Sequence, residues 1–251
     1  MKKLTSYFFQ GILYLAPISI TIYVIYLIFN EGFHSGDQQQ LIREELCGEA
    51  LRLCRMLINN EYRRTSDVFA LFALCCFNAS RLKSKMGEGD EVISLEFQNR
   101  SIWDKDLIML RNQAMNRAVQ TEDYSAYHYE AAIASEHLSA KSYDKTNWHR
   151  IYRWYTCLVA IDPSPLNLLS MAMAQLQRGE AEGCKTILQK IDTIRSGQCT
   201  YLYHGVWAEY YFKIDNPKAA IGCLDLALSL VSNIAEKKYL KKKKSDRIGG
   251  S

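Results

Sequence analysis

The sequence predicts an all-α protein, on three observations. Only four of the 251 residues are proline, the residue that interrupts helices most strongly, and good helix formers such as Leu, Ala, Glu and Lys occur throughout. Hydrophobic residues make up 48% of the chain, which is enough for a buried core. They recur at helical spacing between short breaks. This pattern favours antiparallel helical hairpins over a sheet.

The first predicted element is one long apolar N-terminal helix. Residues 7–29 carry no charge, and as a helix of about 35 Å they could cross a hydrocarbon core of about 30 Å. We therefore expect residues 1–29 to be a transmembrane anchor, kinked at Pro17. The alternative is a buried first helix of a soluble cytoplasmic protein, because a helix inside a core can also be apolar on every side.

The orientation of this anchor is ambiguous from the sequence. Lys2 and Lys3 precede it and Glu31 and Asp37 follow it, so the positive-inside rule places the N-terminus in the cytoplasm and the domain outside. Eight cysteines without an evenly spaced framework favour a reduced compartment for the domain. We expect a single-pass membrane protein whose helical domain is cytoplasmic.

Residues 30–120 are predicted to form a helical domain. Asp37 followed by Gln40 is a helix-start signal, and a second helix is expected to begin near Ser66. Residues 86–100 break the helical pattern with Gly87 and Gly89 and are predicted to be a loop or arm. Asp104 is expected to cap the helix that follows.

Residues 121–235 are predicted to form repeated helical hairpins. Pro165 and Pro217 are well placed as first helical residues after the caps Ser164 and Asn216. An offset of 36 residues aligns Gly179 with Asp215, and it also aligns Ala172 with Ala208, Gln175 with Tyr211, Cys184 with Ala220, and Leu188 with Leu224. Such self-similarity predicts a tetratricopeptide-like array, whose period is about 34 residues.

Charge limits the possible partners. The net charge is +4, but Lys2 and Lys3 contribute +2 and residues 236–247 contribute +5, which leaves the rest of the chain near −3. A basic nucleic-acid groove across the folded body is therefore not expected. Residues 236–251 are predicted to be a basic tail, with its lysines on a solvated helix end.

The sequence predicts no catalytic, cofactor or metal site. No Gly-rich phosphate loop, His-Glu-x-x-His or Cys-x-x-Cys motif occurs, so we expect neither an enzyme nor a cofactor. The pairs Cys47 with Cys54 and His128 with His137 are interpreted as packing residues, since their spacing is unlike that of structural zinc sites. A deep pocket lined by Glu130, His137 and Trp148 would instead favour an enzyme or small-molecule sensor.

Aromatic and polar residues on a concave wall, or beside the arm, are the best candidates for partner binding. Such side chains dominate the energetics of protein interfaces, although aromatic residues are also common in helical cores. The predicted partner-binding residues are Arg100, Trp103, Asp104, Tyr127, Trp148, Arg153, Tyr203 and Trp207.

Five stretches, in order and with similar spacing over about residues 24–240, carry a resemblance to a known family. They are residues 24–33 (Val-Ile-Tyr-Leu-Ile-Phe-Asn-Glu-Gly-Phe), 46–53 (Leu-Cys-Gly-Glu-Ala-Leu-Arg-Leu), 95–104 (Leu-Glu-Phe-Gln-Asn-Arg-Ser-Ile-Trp-Asp), 130–134 (Glu-Ala-Ala-Ile-Ala) and 162–167 (Asp-Pro-Ser-Pro-Leu-Asn). The chain resembles the C-terminal helical, tetratricopeptide-like extension of extracytoplasmic-function RNA polymerase sigma factors.

That resemblance implies a regulatory protein-interaction module linked to transcription initiation. The expected partner is RNA polymerase or a sigma domain, and no direct promoter binding is expected because the sigma DNA-binding domains are not represented. Residues 1–28 are also similar to the first membrane segment of a family of small bacterial membrane proteins of unknown function. A membrane-anchored helical-repeat scaffold unrelated to transcription is therefore the alternative.

Overall fold

The computed structural model describes residues 17–35, 37, 40–87, 91–194 and 200–249. Over these residues the protein is all-α, with an isolated antiparallel bridge between Met86 and Val92 and no strand. The α-helices are α1 Ile18–Phe33, α2 Glu44–Ile58, α3 Ser66–Ser80, α4 Leu82–Lys85, α5 Lys105–Ala118, α6 Ala126–Ser139, α7 Trp148–Ile161, α8 Pro165–Gln177, α9 Ala181–Ile194, α10 Thr200–Lys213, α11 Pro217–Leu230 and α12 Ile234–Gly249. Arg100–Ile102 form a short 3-10 helix.

Helix α1 contains residues 18–29 of the predicted 7–29 anchor, while residues 7–16 lie outside the described residues. Pro17 stands directly before its first residue, so it precedes this helix and does not kink it. Ile22, Ile25 and Phe29 are buried where α1 packs against α2 and α3. Within the described ranges, no helix has both the length and the apolar character needed to cross a membrane.

The contact between α1 and α2 depends on Gly32. The Arg43 backbone N–H donates to the Gly32 carbonyl oxygen at 2.7 Å. A Cβ at Gly32 would lie 2.7 Å from the Cys47 backbone nitrogen, closer than real Cβ contacts come. Helix α2 begins at Glu44, so the predicted start at Asp37 is wrong. The Asp37 side chain instead accepts the Gln40 N–H at 3.2 Å.

The chain divides into two compact units. Unit 1 comprises Met1–Lys83 and Arg100–Ala131, and unit 2 comprises Ser84–Asn99 and Ala132–Ser251. Most of the predicted arm at 86–100 therefore belongs to unit 2, where backbone hydrogen bonds join Gly87 to Glu91 and Ile93 to Lys85.

Unit 1 is centred on α3, which packs against α1, α2 and α5. Ten of its fifteen residues are buried, because the helix is apolar on nearly every side. Helix α5 begins after Asp104, whose Oδ1 accepts the N–H groups of Asp106 and Leu107 at 3.0 Å. The predicted cap is confirmed.

Unit 2 contains the hairpin pairs α8 with α9 and α10 with α11. Pro165 and Pro217 are the first helical residues, and the caps Ser164 and Asn216 accept the N–H groups three residues further on, as predicted. Three of the pairs aligned by the offset of 36 residues are fully buried, namely Ala172 with Ala208, Cys184 with Ala220, and Leu188 with Leu224, whereas Gln175 and Tyr211 are partly buried and Gly179 and Asp215 are exposed.

The turns of these two hairpins share an unusual backbone conformation. Gly179 has φ of 86° and Asp215 has φ of 56°, both in the left-handed region. Glycine enters this region freely, whereas Asp does so at a steric cost. The two hairpins therefore have equivalent cores and equivalent turns built from different residues.

Candidate partner-binding site

Unit 2 contains a cavity of about 720 Å³, which we call the unit 2 groove. Met173 and Gln177 of α8 line it, together with Glu209 of α10, Tyr239 of α12 and Tyr143 from the connection between α6 and α7. Alternate helices of the unit therefore contribute to one wall. The lining combines an apolar thioether with hydroxyl, amide and carboxylate groups, which suits recognition of a polypeptide.

The arm forms another wall of the unit 2 groove through residues 91–97. Glu91 makes an ion pair with Lys242 of α12. The buried side chain of Gln98 donates from Nε2 to the Ile93 carbonyl oxygen at 2.9 Å and accepts from Ser84 Oγ at 3.4 Å. These bonds hold the arm in place, although Phe97 at its end is 75% exposed.

The basic side chains of this groove have partners within the chain. Lys243 pairs with Glu209, and Arg247 lies over the Phe212 ring, with 5.0 Å from the guanidinium carbon to the ring centroid. Burial opposes the charge on Lys243, but Glu209 and the Tyr239 hydroxyl outweigh it and raise the pKa of Lys243. Burial also raises the pKa of Tyr143, and the negative charges of Glu96 and Glu209 add to this. The hydroxyl of Tyr143 therefore stays protonated.

The predicted set Arg100, Trp103 and Asp104 is brought together in unit 1, at the start of α5. Trp103 is only 4% exposed and lies edge-on to Phe77, with ring centroids 6.1 Å apart. The guanidinium carbon of Arg100 lies 5.1 Å from the Trp103 ring centroid, and Asp104 caps α5. Trp103 therefore contributes to the core, while Asp104 remains exposed at the surface.

Tyr127 lies in a polar cluster of unit 1. Its ring is edge-on to Tyr26 at 5.3 Å, and the Tyr26 hydroxyl donates to the Glu130 carboxylate at 3.2 Å. Burial, reinforced by the negative charge of Glu130, raises the pKa of Tyr127 to about 12. Both phenols therefore stay protonated.

The remaining predicted residues lie in unit 2. Trp148 has His137 and Tyr143 edge-on to it, with centroids 5.3 and 5.1 Å away. Because Tyr143 lines the unit 2 groove, the contact of Trp148 with Tyr143 supports the wall of that groove. Tyr203 and Trp207 pack against the core between α8, α9 and α10, and Arg153 is exposed on α7.

Sequence reasoning missed the groove residues Tyr143, Glu209 and Tyr239. Tyr239 lies within the segment predicted to be a basic tail, which in its described part forms α12. Leu240, beside it, is buried in a core cluster with Leu224. The apolar pair Tyr239 and Leu240 between lysines was the available signal.

A Ser–His contact in unit 1 resembles a catalytic dyad, but the hydrogen bonds of the ring place its proton on the nitrogen that faces the serine. Ser66 Oγ lies 2.7 Å from Nε2 of the buried His128. The Ser125 backbone N–H donates to His128 Nδ1 at 3.1 Å, so Nδ1 is the acceptor and the ring proton is on Nε2. A general base would need Nε2 unprotonated. Burial lowers the pKa of His128, so the neutral ring joins Ser66 to the Ala118 carbonyl oxygen.

The buried thiols of unit 1 are packing groups. Cys47, Cys54, Cys75 and Cys76 are buried in unit 1, and burial, followed by the neighbouring Cys54, raises the pKa of both Cys75 and Cys76. Protonated thiols are poor nucleophiles and poor metal ligands. Among the described residues, no group of three or more His, Cys, Asp or Glu side chains could hold a metal ion.

This chain is similar to one protein family and to one curated protein, and neither description names an activity. The profile of a family of unknown function, DUF6596, matches residues 19–119. A protein of Rhizobium meliloti (strain 1021), described as uncharacterised, is 28% identical over 218 residues, which are 87% of this chain and 51% of that protein. The chain thus spans about half the length of the curated relative it matches. No solved structure matches the chain.

Proposed function

We propose that this chain is a non-catalytic protein-interaction module that takes part in regulating transcription initiation. In this proposal, α8 to α12 form a tetratricopeptide-like array that binds RNA polymerase or a sigma domain through the unit 2 groove. The chain would act through these protein contacts and would not bind promoter DNA itself.

The observation that carries the proposal is the lining of the unit 2 groove. One of its walls is built from α8, α10 and α12. Helices α8 and α10 are the first helices of two successive hairpins, and α12 follows the second hairpin. Repeat arrays present one helix of each repeat on a shared surface and use it to bind polypeptides. The equivalent buried positions Leu188 and Leu224 support the repeat.

The link to transcription is supported by the resemblance to the C-terminal extension of sigma factors. The five resembling stretches include residues 95–104, which contain the end of the arm, and residues 162–167, which begin α8. The resemblance therefore includes arm residues 95–97, which line the groove, and the start of α8, the helix that carries the lining residues Met173 and Gln177.

The test compares two exposed glutamines in binding to RNA polymerase. Gln177→Lys adds a long cationic side chain at the groove on α8, whereas Gln189→Lys makes the same change on α9, outside the groove lining. Purified wild-type and variant chains are titrated by biolayer interferometry against immobilised core polymerase and isolated sigma domains from the source bacterium. Run-off transcription is measured in parallel.

We expect the wild type to bind one of these components and to change run-off yield. Gln177→Lys should weaken binding by about tenfold or more, which is about 1.4 kcal/mol, because the longer cationic side chain would occupy the groove and lose its water on binding. Gln189→Lys should bind like the wild type. Absence of binding to every polymerase and sigma component would refute the transcription link. Equal weakening by both variants would refute the groove as the binding site.

A further inference from the structure

Unit 1 has its own cavity, of about 750 Å³, between the end of α2, the start of α3 and the length of α5. Its floor is apolar, with Phe69 and Phe72 of α3 and Leu110 of α5. Phe72 is buried, whereas Phe69 and Leu110 are partly exposed. We call this cavity the arginine groove.

The rim of the arginine groove is cationic. Arg55 projects from α2, Arg64 from the connection before α3 and Arg117 from α5, and all three are exposed. The other polar lining residues are neutral amides, and no carboxylate is among the lining residues that the structure describes. Three separate segments thus place like charges around one apolar floor.

These arginines lack acidic partners in the described part of the chain. None of Arg55, Arg64 and Arg117 forms an ion pair there, whereas Arg43 and Arg52 pair with neighbouring glutamates. Arg55 has a contact with the Phe72 ring, at 5.8 Å from its guanidinium carbon to the centroid. Arg55 and Arg117 each lie in the last turn of a helix, so the helix dipole stabilises their positive charges. Arg64 lies outside any helix, so the dipole does not account for it.

We propose that the arginine groove binds an acidic peptide segment of a protein partner, in which carboxylates flank a large apolar side chain. The apolar side chain would lie on Phe69 and Leu110, and the carboxylates would accept charge-assisted hydrogen bonds from Arg64 and Arg117, which guanidinium groups can make in pairs.

Protein is favoured over nucleic acid by charge and size. The three arginines surround one apolar floor, which suits a short acidic segment with an apolar side chain better than a long phosphate backbone. A nucleic-acid site would also need a basic track along which successive phosphates lie. The inference is independent of the unit 2 groove and of any role in transcription.

The test uses fluorescence anisotropy with the full-length chain and three labelled probes. The first is a short peptide in which Leu and Phe are flanked by Asp and Glu, the second replaces these acids by Asn and Gln, and the third is a single-stranded oligothymidylate. The double variant Arg64→Gln/Arg117→Gln removes two rim charges. Lys105→Gln is the matched control, because it removes a charge from α5 at an exposed position outside the groove lining.

We expect the acidic peptide to bind the wild type and the Lys105→Gln control equally, and to bind the double variant at least about tenfold more weakly. Raising the salt from about 50 to about 300 mM should weaken binding to the wild type much more than to the double variant. Thermal melts should show that the variants are folded, since both arginines are exposed.

Three results would overturn the proposal. The first is undetectable binding of the acidic peptide to the wild type. The second is equal affinity for the acidic and amide peptides, or for the wild type and the double variant. The third is tighter binding of the oligothymidylate than of the acidic peptide, which would assign the groove to nucleic acid.

Discussion

The two units contain grooves of similar volume, but the lysines of one groove pair with acidic side chains and, within the described ranges, the arginines of the other do not. Lys242 and Lys243 of the unit 2 groove pair with Glu91 and Glu209. The arginine groove has three basic side chains on its rim, and none of them pairs with an acid in the described part of unit 1. Cavity size alone therefore does not distinguish the two sites.

This difference indicates what each groove can contribute. Neutralised charges in the unit 2 groove stabilise the fold and leave hydroxyl, amide and apolar groups for contact with a partner. Unneutralised charges at the arginine groove contribute little to folding and remain available for an acidic ligand. The following predictions test this contrast.

The largest expected effect concerns the framework of the unit 2 groove. Leu188→Ala and Leu224→Ala each remove a fully buried side chain at equivalent positions of the two hairpins. Each should lower the free energy of unfolding of unit 2 by about 2–5 kcal/mol, because a cavity remains. Urea denaturation followed by circular dichroism gives the values. A loss below 1 kcal/mol at one site only would show that the hairpins are not equivalent.

The next effect concerns the ion pair between Glu209 and Lys243. Glu209→Gln leaves a largely buried ammonium group without its counter-charge and should cost about 1–3 kcal/mol of unfolding free energy. Glu182→Gln is the control, because Glu182 pairs with Lys185 at 3.9 Å on the surface and its side chain is 82% exposed. That change should cost less than about 0.5 kcal/mol.

The same pair predicts a pH dependence. Because the pKa of Lys243 is raised above 10.5, its contribution to stability is fully present below that pH and is lost as the pH rises through the folded-state pKa. Wild-type stability should therefore fall above pH 10.5, and part of this fall should be absent in Glu209→Gln. Parallel unfolding curves of the two proteins at alkaline pH would contradict this prediction.

A smaller effect is expected at the turns of the hairpins that carry the groove. Asp215→Gly should raise the unfolding free energy by up to about 1 kcal/mol, because glycine adopts its positive φ without steric cost. Gly179→Ala should lower it by about 1 kcal/mol, since no side chain suits φ of 86°. Melting temperatures that move in the same direction for both variants would contradict the equivalence of the turns.

The smallest effect is expected at the rim of the arginine groove. Arg64→Gln should change the unfolding free energy by less than about 0.5 kcal/mol, because Arg64 is exposed and has no acidic partner among the described residues. Denaturant titrations of Arg64→Gln and Glu209→Gln, carried out in parallel, measure the difference in unfolding free energy between the two variants. A loss comparable to that of Glu209→Gln would mean that Arg64 supports the fold.

The sequence by itself determined the features that depend on near neighbours. The caps Asp104, Ser164 and Asn216 were predictable because a cap accepts N–H groups two or three residues away. The equivalence of Gly179 with Asp215, and of Leu188 with Leu224, was predictable from the 36-residue offset. A repeat preserves local turns and helix faces.

The tertiary structure alone decided which side chains from distant segments meet. It buried Trp103 against Phe77, paired Lys243 with Glu209, and placed Arg55, Arg64 and Arg117 around one apolar floor. Helical periodicity fixes the face on which a residue lies but not which other helix that face contacts. Both grooves depend on such distant contacts, so spacing along the chain could not predict them.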